Sequence, residues 1–209
     1  MPAPLIGYTS LVSGGLQVKL RLLALSLLCA ALATGVARAT IVIPPTFEQL
    51  VSNAKLIFAG EAIDLQSSWE PRPDGGRAIV TQVTLRVEDV WKGSVGAVTQ
   101  LQFLGGTIDG LTLAVSDMPS FRLGQRDVLF VGDTVRVMSP LVGFMHGRVR
   151  IERELATGID RVRTFDGRSL GSTADLGGLR PPSFEPITPM RLADFKAAVL
   201  GRLALGRAR

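Results

Sequence analysis

Between residues 78 and 91 the chain alternates in character with a period of two. Ile79, Thr81, Val83, Leu85 and Val87 fall on one side, and Gln82, Thr84, Arg86 and Glu88 on the other. Successive side chains of a strand point to opposite faces, so the pattern predicts a long half-buried β-strand with one wet face. A strand of that kind cannot stand alone. It needs hydrogen-bonded neighbours along its length and a core beneath it, so the rest of the sequence has to supply a sheet.

Further strand segments are present. Residues 56–65 (LIFAGEAIDL), 98–103 (VTQLQF) and 111–115 read as strands, and residues 127–131 (DVLFV) form a short apolar run of the kind found in the middle of sheets. Residues 134–138 follow, then 147–154 alternates with Val149 and Ile151 inward. Residues 161–165 are expected to pair with that segment across the turn at 156–158. Residues 66–76 (QSSWEPRPDGG) read as a loop, because two prolines and Asp-Gly-Gly are turn signals.

Helices are expected at both ends of this array. Thr46 followed three residues later by Gln49 is a capping box, and Phe47, Leu50, Val51 and Ala54 recur at helical spacing, which predicts a helix over 46–54. Thr188-Pro189 is an N-cap and first-turn pair opening a helix over 189–204, with Leu192, Phe195, Ala198, Val199 and Leu203 on one stripe. Residues 166–189, rich in Gly, Pro, Ser and Thr, are expected to be irregular. The fold class expected is mostly β: an antiparallel, OB-like β-barrel with a short N-terminal helix and a C-terminal helix.

The N-terminal stretch is of a different kind. Lys19 and Arg21 precede a near-continuous apolar run from Leu22 to Ala33, and Ala37-Arg38-Ala39 presents small residues where a signal peptidase reads. The run is shorter than a bilayer span, so it reads as a cleaved secretory signal, with the cut between Ala39 and Thr40. The organisation expected is 1–39 signal peptide, 40–165 barrel domain and 166–209 irregular linker and C-terminal helix packed on the barrel. Removing Lys19, Arg21 and Arg38 lowers the formal charge from +5 to +2, which is no nucleic-acid footprint. The single cysteine, Cys29, lies in the signal, leaving the mature chain without a thiol, a disulfide or a sulfur metal site. A lipoprotein-type cut at Cys29 would need a small residue before it, and Leu28 stands there. The expectation is a secreted or periplasmic bacterial protein, monomeric, with no stable membrane anchor after cleavage.

Several segments resemble a group of uncharacterised secreted bacterial proteins. They are FEQLVSNAKLIFAGEA, the step from Val87 to Lys92-Gly93, the segment Phe103-Leu104-Gly105-Gly106, the run from Pro119 through Phe121 and Gly124 to Leu129-Phe130, and the stretch from Gly143 to Ile151. More distantly, their order is similar to the netrin-like, metalloproteinase-inhibitor type of OB-fold. That resemblance implies an inhibitor or accessory of an exported metalloprotease. Those inhibitors begin with a cysteine that chelates the target's zinc, whereas the mature chain here would begin with Thr40.

Chemistry-bearing residues are sparse. His146 is the single histidine, without the second imidazole or the spaced acids of a metal or hydrolytic motif. Asp109, Asp117, Asp127 and Asp133 fall in or near turns and lack the dense alternation of a calcium loop. Ser116 and Ser120 lack a nucleophile elbow, and Gly75-Gly76 and Gly105-Gly106 read as turns. Arg148, Arg150, Arg153, Arg161 and Arg163 read as a solvated face interleaved with Glu152 and Glu154. Trp91 is expected in the core, whereas Trp69 and His146 are the expected partner-contact residues. No catalytic, cofactor-binding or metal residue is assigned and no cofactor is expected. The functional expectation is an exported, non-enzymatic binding protein for a protein or extracellular ligand, with two alternatives: an inhibitor or accessory of an exported metalloprotease, and a hydrolase using carboxylates and His146.

Overall fold

The computed structural model describes residues 43–72, 74–132, 138–178 and 187–207. The expected cleavage site at Ala39 and Thr40, Cys29, most of the strand expected over 134–138 and Asp133 lie outside the described residues. The elements in chain order are α1 (Phe47–Asn53), β1 (Leu56–Pro71), β2 (Arg77–Lys92), β3 (Val98–Leu104), β4 (Gly106–Ile108), β5 (Leu111–Leu113), β6 (Arg126–Val131), a 3₁₀ turn (Phe144–Gly147), β7 (Arg148–Arg153), β8 (Asp160–Thr164), a second 3₁₀ turn (Thr173–Asp175) and α2 (Leu192–Arg207). No helix among the described residues is long and apolar enough to cross a membrane.

The fold is mostly β. Six strands form one antiparallel sheet in the order β3-β2-β1-β6-β7-β8, and β4 and β5 pair as a separate small hairpin. The alternating run becomes β2, with Ile79, Val83 and Leu85 almost wholly buried. The apolar run becomes β6, which lies inside the sheet between β1 and β7. The expected closed barrel is corrected, because among the described residues no strand ladder joins β3 to β8. Near the β3 edge, the segment after residue 137 makes one hydrogen bond, from Leu104 N to Met138 O at 2.9 Å, in place of a ladder. The outer edge of β8 is covered by non-strand backbone: Thr164 N donates to Arg168 O and Val162 N to Met190 O.

That covering corrects the start of the C-terminal helix. Residues 189–191 run extended along β8, where Arg161 Nη1 also donates to Pro189 O at 2.8 Å, and the helix begins at Leu192. Satisfying the β8 edge outweighs the local N-cap signal. The segment 66–71, expected as loop, is also strand. It pairs residue by residue with β2, from Gln66 opposite Gln82 to Pro71 opposite Arg77, so a paired neighbour overrides weak strand propensity. β1 and β2 therefore reach past β6, which pairs only with Leu56 to Glu61; β3 still flanks β2 from Val80 to Arg86, and Trp69 to Pro71 opposite Arg77 to Ile79 form the two-stranded tip of this arm.

Two apolar clusters sit on opposite faces of the sheet. On one, Ile57, Val128, Phe130, Val149, Ile151 and Val162 meet the helices through Phe47, Leu50, Phe195 and Val199. Phe195 is the hub, with ring centroids 6.0 Å from Phe47, 6.2 Å from Trp91 and 6.3 Å from Phe130. On the other, Phe58, Val83, Leu85, Leu101, Phe103, Leu129 and Leu141 pack together. The first helix follows from its cap and its stripe. Thr46 and Gln49 form the reciprocal capping box that opens α1, and Lys92 Nζ donates to Val51 O at 2.8 Å at its C-terminal end, where a cation suits the helix dipole. The Lys-Gly step after β2 thus has a structural task. Burial holds the Lys92 ammonium below its ordinary range.

Candidate functional site

One concave feature among the described residues is assembled from chain segments distant in sequence. The extended lead Pro44-Pro45, the 3₁₀ turn carrying His146, the β8 hairpin tip at Phe165 and the loop at Leu176–Gly177 surround a cavity of about 440 Å³. Two glycines make the assembly fit. Gly143, at φ +66°, and Gly177, at φ +82°, lie so close to the lead that a Cβ would stand 2.6 Å from Pro45 Cγ and from Thr46 Cα respectively. Both left-handed conformations favour glycine on their own account, and the close approach adds a second reason. Pro45 is thereby clamped between two loops.

His146 is half-buried in one wall, with its ring edge-on to Phe165 at 4.8 Å and 85°. Burial lowers its pKa below the ordinary imidazole value, with Arg168 adding to the effect and Asp117 and Asp166 opposing it by charge. At neutral pH the ring is uncharged, with one nitrogen a donor and the other an acceptor. Phe165 is held by the hairpin turn, where Thr164 Oγ1 donates to Asp166 and Arg168 Nε donates to Asp166 Oδ2 at 2.8 Å. Arg168, paired with Asp166, and Asp175 also line the cavity.

A buried ion pair underlies this wall. Arg148, which lines the cavity, is 2% exposed, and its Nε lies 2.9 Å from Oδ1 of the wholly buried Asp127. Arg148 Nη1 donates to Ser120 O, and the guanidinium stacks 4.5 Å above Phe121. Burial pushes the Asp127 carboxyl up, while Arg148 and Arg150 pull it back. The expected solvated arginine face is corrected at this position. Arg148 is on the same buried face as Leu129 and Val131, and Arg153 lies on the opposite face of β7 from it. Asp127 belongs to a buried strand, while Asp109 and Asp117 do occupy left-handed turn positions.

Trp69 is not in a loop. It sits on the β1 arm, half-buried opposite Ile79, with Arg77 5.3 Å from its ring centroid. Trp69 does not line the cavity beside His146. Trp91 is in the core, as its place at the end of the alternating run implied. It is 7% exposed, its Nε1 donates to Asp89 Oδ2 at 2.8 Å, and Lys196 of α2 reaches the same oxygen at 2.5 Å. Among the described residues no group of three or more His, Cys, Asp or Glu is placed to hold a metal ion. Set against protein-family models, curated proteins and solved structures, the chain matches none. The cavity therefore has to be read from its own chemistry. The residues that sequence reasoning missed are Arg148, Asp127 and Phe165, since nothing in a strand pattern says which arginine turns inward.

Proposed function

We propose that this chain is an exported, non-enzymatic binding protein whose ligand site is the cavity beside His146 and Phe165. The observation that carries the reading is the cavity itself: about 440 Å³, within the range of small-molecule sites, with walls of proline, phenylalanine and leucine and a few polar groups from separate segments. Its neutral imidazole offers one donor and one acceptor, and Arg168 and Asp175 add further polar groups to the lining. This chemistry suits a small apolar or aromatic molecule bearing a polar group. The hydrolase alternative needs a carboxylate bonded to the His146 ring, whereas Asp117 and Asp166 act on it through charge.

The test is a screen of small aromatic fragments followed by the His146 ring signals in NMR. Saturable shifts that vanish in Phe165→Ala support the reading; fragments that bind without moving His146 overturn it. Export is tested by N-terminal sequencing of material released from a bacterial host, expected to begin at Thr40. A start at Cys29 would replace soluble export by a lipid anchor.

The OB-like relation of the sheet stands on the same footing. It is supported by the segment at 138–142, which bonds to Leu104 on one side and, through Gly132 N to Pro140 O and Val142 N to Phe130 O, to the end of β6 on the other. Slow amide exchange at Leu104 and Gly132 is the expected result, and fast exchange at both would remove the support.

A further inference from the structure

A second concave surface, separate from the His146 cavity, lies where the loop before β6 meets β7. It is a polar groove of about 360 Å³ bordered by Arg122, Gln125, Arg126, Arg150 and Glu152. Its charges do not cancel. Every acid near it is already engaged by another arginine: Asp127 by Arg148 at 2.9 Å, Glu152 by Arg163 at 2.5 Å, and both Glu88 and Asp160 by Arg126 at 2.8 and 2.9 Å. Arg122 and Arg150 are left without a hydrogen bond or short ion pair among the described residues. Arg150 Nε is buried with no acceptor, and its Nη1 end extends toward Gly167. A buried guanidinium nitrogen left without an acceptor is costly, so an occupant that supplies one is favoured.

The loop that carries Arg122 is rigidly held. Ser120 O accepts from Arg148, Gly124 N donates to Ala62 O at 2.8 Å, and Ala62 N donates to Gln125 O at 2.9 Å. One wall of the groove is thus fixed to β1 and the other is β7 itself, which lowers the ordering cost of binding. We infer that this groove binds a dianionic phosphate group, with Arg122 and Arg150 supplying forked donors from its two sides. Arg150 acts on Asp127 through charge alone, so both guanidinium groups keep their hydrogen-bond donors free, and two such forks suit the several oxygens and near-double charge of a phosphate better than a single carboxylate.

The test uses the folded domain, with inorganic phosphate as the probe and acetate as the singly charged comparison, followed by backbone NMR at constant ionic strength. Phosphate is expected to give saturable shifts at Leu123, Gly124 and Gln125, with acetate binding clearly weaker. Arg122→Gln and Arg150→Gln are each expected to raise the phosphate Kd by about tenfold or more, the scale of one charge-assisted hydrogen bond. Arg72→Gln, on the hairpin arm, should leave it unchanged. Arg122 is exposed, so its variant keeps the test decisive if Arg150→Gln impairs folding. No saturable shift, equal affinity for acetate, or phosphate binding that survives Arg122→Gln would each overturn the assignment. None of these outcomes bears on the His146 cavity, whose ring signals report separately.

Discussion

On one face of β6 and β7, Val128, Phe130, Val149 and Ile151 interlock with the helices around Phe195. On the other face of the same two strands, Asp127, Arg148 and Arg150 put charge next to Leu129 and Val131. The first face is specified by volume and the second by partnership. Apolar packing tolerates any residue of the right size and gains stability in proportion to area. A buried ion pair adds little net stability over apolar replacements, yet it is intolerant of losing either member alone.

The contrast can be broken most directly at Phe195. Phe195→Ala is expected to cost about 3–5 kcal/mol, because it empties the hub of four aromatic rings, and a lowered urea midpoint at unchanged slope checks it. On the other face, Arg148→Met is expected to cost about 3 kcal/mol by leaving Asp127 buried and unpaired. Adding Asp127→Leu should restore most of that loss, and a double variant no better than the single would erase the distinction between the faces.

Smaller effects sharpen the picture at the cavity and the arm. Gly143→Ala or Gly177→Ala should each cost about 2 kcal/mol, since the new Cβ meets Pro45 or Thr46 and the backbone sits in the left-handed region; thermal melts measure it. On the arm, a double-mutant cycle between Trp69 and Arg77 should return a coupling of about 0.5–1 kcal/mol, the worth of a partly exposed cation–π contact. The smallest effect is a pH slope. Folded His146 holds its proton less tightly than the unfolded chain does. Stability should therefore fall as pH drops through the ordinary imidazole value of about 6.5, and His146→Gln should flatten that part of the profile.

Much of the sheet was legible because its signals are periodic. The β2 alternation, the apolar β6 run and the inward pair Val149 and Ile151 each state a face without reference to the rest of the chain. The capping box of Thr46 and Gln49 is equally local and appears as expected. What escaped depends on partners. Residues 66–71 are strand because β2 lies alongside, and Met190 is extended because β8 needs an edge partner. Closure of the barrel required a ladder between β3 and β8, and none is present among the described residues. The cavity was half legible. His146 stood out by its rarity, but Phe165, Pro45 and Arg148 join it only through the hairpin, the glycine clamp and the inward turn of one arginine.

The central position of β1 also sets the order in which the molecule can be made. Its first half pairs with β2, the next strand along the chain, but also with β6, Leu56 lying opposite Val131. As the chain emerges from N to C terminus, the β1–β2 hairpin can close at once, while the other edge of β1 stays bare until β6 has arrived. Non-local ladders of this kind are slow to form. The rate of folding should accordingly respond to changes in Val128 and Phe130 more than to changes on the early-formed arm, a division between nucleus and appendage that stopped-flow refolding resolves.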